Sequence, residues 1–119
     1  MVLFLKHSKK DSFKEFILDQ LERVGEVECR AMFGGHGLYR RGVFFGILFK
    51  GRFYLKTDAE SRKEYLAAGM KPFRPNAKMI LKTYYEVPPD VAEDPEGLAA
   101  WTKKAIRRIP GTRDLNGIK

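Results

Sequence analysis

One cysteine and two histidines in 119 residues leave little for a disulfide or a metal to use. Cys29 has no second thiol to pair with, which agrees with a reducing compartment. Zinc would need carboxylates beside Cys29, His7 and His36, and neither C-x-x-C nor H-x-x-x-H spacing occurs. No metal and no cofactor is therefore expected. No apolar run approaches the roughly 20 residues of a membrane span, and residues 1–5 are too short for a signal-peptide core. These absences point to a cytoplasmic chain with no membrane contact. Catalytic signatures are missing too. Gly34-Gly35-His36-Gly37 lacks the Lys-Ser or Lys-Thr of a phosphate loop, and it runs into Leu38-Tyr39-Arg40 rather than into a helix, which also excludes a dinucleotide fingerprint. A tight turn or bulge with positive φ explains the glycines better. Cys29, His36, Tyr39, Asp58 and Glu86 show neither acid/base spacing nor a nucleophile elbow. Cys29 beside Val27 and Ala31 reads as a small buried hydrophobe, so a non-enzymatic protein is expected. No helix-turn-helix or ribonucleoprotein motif is present.

Residues 30–56 organise the chain. Three β-type runs are cut apart there by glycine, with Val43–Phe49 as a central strand between Arg41-Gly42 and Lys50-Gly51. Phe53 and Leu55 alternate with Arg52, Tyr54 and Lys56, which predicts one buried and one wet face. Val27, Cys29, Ala31 and Phe33 share the inward parity of a preceding strand. Ser12-Phe13-Lys14-Glu15 matches a capping box, and it predicts a helix over about 12–24 with Phe13, Phe16, Ile17, Leu21 and Val24 inward and Gly25 as its stop. Residues 2–5 precede it as a β-type arm or a frayed end. After the meander, Asp58 caps a middle helix whose Ala59, Tyr65, Leu66 and Ala68 turn inward and which Gly69 ends. Residues 70–76 are proline-broken and fit only an edge strand or a loop. Residues 79–87 form the last long strand, with Tyr84 and Tyr85 on opposite faces. Pro88-Pro89 stops the sheet, an acidic turn follows, and Asp94-Pro95 opens a final helix with Leu98, Trp101, Ala105 and Ile109 as its apolar stripe. The expected fold is α+β: an antiparallel meander of about 5–6 strands flanked by N-terminal, middle and C-terminal helices. Its core takes in Phe13, Phe16, Ile17, Leu98 and Trp101. Residues 1–109 make one domain, and residues 110–119 a disordered basic tail.

Net charge is +8 and unevenly spread. Residues 100–119 hold six basic groups and one acid, against 17 and 14 in residues 1–99. Lys103, Lys104, Arg107 and Arg108 form two i,i+4 pairs off the apolar stripe of the last helix, a candidate surface for nucleic acid or an acidic partner. Bases at a helix C-terminus also suit the macrodipole, so the ridge has a purely structural reading as well. Three or four phosphate contacts would give a log K against log salt slope of about −3 to −4, which is weak and salt-sensitive binding.

The motif Arg30-x-Met32-Phe33-Gly34-Gly35-x-Gly37-Leu38-Tyr39, with Gly42, Phe45 and Tyr54-Leu55-Lys56-x-Asp58, resembles the signature of the N-terminal domain of the TfoX/Sxy competence regulators. Tyr85-Glu86-Val87-Pro88 and Asp94-Pro95-x-x-Leu98-x-x-Trp101 resemble the segment leading into the last helix of that domain. The resemblance implies a bacterial cytoplasmic regulatory binding module, some of whose relatives act in natural transformation alongside the cyclic-AMP receptor protein. The partner it implies is a transcriptional regulator, with DNA second, and it admits a homodimer. Full-length regulators carry a second, helical domain, so the chain is expected to be the first domain standing alone. The motif residues Arg30, Met32, Phe33, Gly34, Gly35, Gly37, Tyr39, Gly42, Tyr54, Lys56 and Trp101 are expected to be mainly structural. A small cytoplasmic protein-interaction adaptor unrelated to competence is the alternative, with an enzyme of unknown reaction ranked behind it.

Overall fold

The computed structural model describes residues 9–32 and 34–110. The expectations for residues 2–5, for Phe33 and for the tail beyond Pro110 lie outside the described residues. The fold is α+β, with one six-stranded antiparallel sheet in the order β1-β2-β3-β4-β6-β5. Its strands are β1 (Val27–Met32), β2 (Gly35–Arg40), β3 (Val43–Phe49), β4 (Arg52–Lys56), β5 (Pro72–Asn76) and β6 (Met79–Glu86). The helices are α1 (Lys9–Gln20), running into a 3-10 turn at Leu21–Arg23, then α2 (Arg62–Ala67), α3 (Pro89–Ala92) and α4 (Pro95–Arg107).

The β2–β3 and β3–β4 hairpins turn on Arg41-Gly42 and Lys50-Gly51. All four residues have positive φ, the backbone that matches strand twist in a two-residue hairpin loop. In the glycine-rich stretch only Gly34 has the expected positive φ. Gly35 and Gly37 lie within β2 and are needed for room instead, since a Cβ on Gly35 would strike the Leu48 carbonyl and one on Gly37 the Met32 sulfur.

A bulge in β3 sets which residues face the helices. Leu38 pairs with Gly46 while Tyr39 pairs with Phe44, leaving Phe45 as the extra residue. Phe45 and Leu48 thereby join Ile17, Leu21, Leu38, Leu55, Leu98 and Ile106 in the core under the helices. Phe44, Ile47 and Phe49 point the other way, into a second cluster with Tyr54, Phe73 and Tyr84 that, among the described residues, is built from strands alone. Tyr54 is therefore buried rather than on a wet face. The cause is β5, whose fully buried Phe73 packs edge-on against Tyr54 at 4.9 Å and Phe49 at 5.3 Å. Tyr84 and Tyr85 take opposite faces as expected, Tyr84 against Phe44 and Tyr85 against Tyr65.

Several local expectations are corrected. Helix α1 starts at Lys9, so Ser12 lies within it and does not cap it. Ile17 and Leu21 reach the core, Phe13 is half-buried, and Phe16, about 100° of helix away from Ile17, is 40% exposed. Ala31 is exposed on the edge strand. Asp58 caps the turn that leads into α2, whose own N-cap residue is Ser61: the Asp58 carboxylate accepts the Ser61 amide at 2.8 Å while Ser61 Oγ accepts the Asp58 amide at 3.0 Å, two donors satisfied reciprocally. The short α2 has room for one inward position, taken by Tyr65, so Leu66 (55% exposed), Ala59 and Ala68 face water. The acidic turn is the helix α3, whose Ala92 carbonyl accepts from Gln20 Nε2 at 3.0 Å. Among the described residues no helix is long and apolar enough to cross a membrane.

Candidate binding surface

Helix α4 begins with Asp94 at the cap and Pro95 in its first turn, where a missing N–H costs nothing. Its inward face is Leu98, Ala99, Thr102, Ala105 and Ile106, a stripe rotated from the expected one, so that Trp101 and Ile109 are half-buried at its border. The Trp101 ring meets Tyr65 edge-on at 4.9 Å. Between α2, α3 and α4 a groove of about 430 Å³ is lined by Trp101, Ala67, Ala68, Pro88 and Val91, with Glu64 and Asp90 as its acids.

The four basic residues do not act alike. Lys104 Nζ donates to Glu64 Oε1 at 3.0 Å, and Arg108 Nε to Asp58 Oδ2 at 2.7 Å. Both bonds tie α4 to the α2 segment. The Arg108 guanidinium, followed by the Ser61 amide, holds the Asp58 carboxyl far below the usual carboxylate range, and Asp58 in turn raises Arg108. Lys103 and Arg107 make no hydrogen bond or ion pair among the described residues, and Arg107 is exposed. Of the predicted ridge, one i,i+4 pair is thus bonded within the fold, and the other, with Lys103 half-buried and Arg107 exposed, has no such bond among the described residues.

The motif residues converge in a way that no local pattern signals. Strand pairing places Arg30, Gly37, Tyr39, Tyr54 and Lys56 on the sheet face away from the helices. The Arg30 guanidinium lies 4.5 Å from the Tyr39 ring, Tyr39 is 5.1 Å from Phe44, Phe44 is 5.1 Å from Tyr84, and Lys56 Nζ is 5.7 Å from Tyr84. Phe44 and Tyr84 complete this row, and no single-strand pattern could have joined residues from five strands. Met32 is half-buried at the end of β1, Gly42 holds the β2–β3 turn, and Trp101 lies on the opposite side of the sheet. Burial pushes the Tyr54 and Tyr84 phenols up, as it does the Cys29 thiol, which Lys14 only partly offsets. A half-buried thiol with a raised pKa is a poor nucleophile. No group of three or more His, Cys, Asp or Glu able to hold a metal occurs among the described residues.

An α+β domain with its helices on one sheet face and paired bases on its last helix is the class of protein that this geometry defines. The TfoX N-terminal domain model matches residues 19–109, and the chain belongs to that family. It is similar to the DNA transformation protein TfoX1 of Aliivibrio fischeri (strain ATCC 700601 / ES114), at 24% identity over 119 residues. The match covers 98% of this chain and 57% of that relative's length.

Proposed function

We propose that the protein is a non-enzymatic cytoplasmic regulatory module that works mainly through contact with a protein partner of the transcriptional machinery, with DNA phosphates as a secondary contact. The relative's name associates the family with DNA transformation. The observation that carries the order of partners is the internal pairing of Lys104 with Glu64 and of Arg108 with Asp58. Each pair neutralises a cation that phosphate would otherwise take up, leaving Lys103 and Arg107 for DNA. Two phosphate contacts supply little affinity at physiological salt. The groove beside Trp101 suits a protein contact better, because a half-exposed tryptophan over small residues is the kind of anchor that dominates interfaces. Its rim acids favour a partner with basic side chains.

The test is deletion of the gene in its own bacterium, with complementation by the wild type and by Trp101→Glu. Altered transcript levels of DNA-uptake genes, restored by the wild type and not by a stably folded Trp101→Glu protein, are the expected result. An unchanged transcriptome under competence-inducing conditions would overturn the regulatory reading.

A further inference from the structure

The geometry points to β1 as the surface on which a second copy of this chain docks, the two edge strands pairing antiparallel about a two-fold axis at Cys29. The sheet has two edges, and they differ. β5 carries Pro72 and Pro75, which cannot donate, and its pairing with β6 is broken by two register shifts. β1 has no proline and no bulge, and it pairs with β2 without a break from Val27 to Met32. Among the described residues no backbone hydrogen bond covers its outer edge. A regular, uncovered strand is a template for another strand.

Charge selects which strand. Natural edges are guarded by charges that repel a copy of themselves, but Glu28 and Arg30 are opposite in sign and two residues apart on one face, both exposed and 3.0 Å from each other. Centring the axis on Cys29 sets Glu28 opposite Arg30 of the second copy, and Arg30 opposite its Glu28. Shifting the axis to Glu28 or to Arg30 would oppose like charges at the centre. The Cys29 register pairs residues of equal parity, so outward amides meet outward carbonyls whichever parity faces out. It also sets the two Cys29 residues opposite one another, within the Cα separation a thiol cross-link can span. A six-residue edge is a small contact, so the dimer is weak and concentration-dependent.

Sedimentation equilibrium on the full chain tests this, with Glu28→Arg, Arg30→Glu and the double exchange, each checked by thermal melting for an intact fold. The expected result is a wild-type monomer–dimer equilibrium. Each single variant should raise its Kd roughly tenfold or more, since two cross-strand pairs turn from opposite to like charge, and the exchange should restore it to within about threefold. A wild type that is monomeric at every concentration overturns the inference. So does a dimer indifferent to the single variants, or an exchange that fails to restore pairing.

Discussion

Arg108 Nε donates to Asp58 Oδ2 at 2.7 Å and joins the end of α4 to the turn that leads into α2 across fifty residues of sequence. The depressed Asp58 carboxyl fixes the sign of its pH dependence. A carboxylate whose folded pKa lies below its unfolded value of about 4 contributes stability above that value and loses it as pH falls toward the folded one. Asp58→Asn keeps an acceptor for the Ser61 amide and deletes the charge. Urea titrations should show a gap between wild type and variant that is constant from about pH 5 to 8 and closes below about pH 4. A gap that widens on acidification would contradict the assignment.

The strand-only cluster should matter as much as the core under the helices. Phe73 is fully buried between Tyr54 and Phe49. Phe73→Ala is expected to cost about 3–5 kcal/mol, whereas Phe16→Ala, an exposed ring, should cost under about 1 kcal/mol. Denaturant unfolding of the two variants measures both. Similar losses would show that the second cluster is not a core.

Thr102 is fully buried on α4, and its Oγ1 has no hydrogen-bond partner among the described residues. Thr102→Val keeps the shape and removes the desolvated hydroxyl. The midpoint of unfolding should rise, with a gain of about 1 kcal/mol. A loss of stability would mean that the hydroxyl is bonded in solution.

Duplex binding, if driven by Lys103 and Arg107, should show a log K against log salt slope of about −2 instead of about −4. Lys103→Glu with Arg107→Glu should abolish it. Lys104→Gln with Arg108→Gln should leave affinity within about threefold, because those cations are already engaged by Glu64 and Asp58. Fluorescence anisotropy between about 50 and 200 mM salt measures the slope. Loss of binding only in the second pair of variants would reverse the assignment.

Local chemistry made much of the fold legible. The positive-φ residues at Arg41-Gly42 and Lys50-Gly51 mark hairpins, the prolines confine residues 72–76 to an edge, and Asp58 with Ser61 forms a cap, because each depends only on near neighbours. The four bases of α4 were equally legible as one face of a helix. Which of them stay free was decided by tertiary structure, since Glu64 and Asp58 reach Lys104 and Arg108 only after α2 packs beside α4. The same holds for the second cluster. Alternation along β4 assigns Tyr54 to water, and it is the bulge at Phe45 together with the distant Phe73 that buries it, a contact between strands that no period within one strand contains.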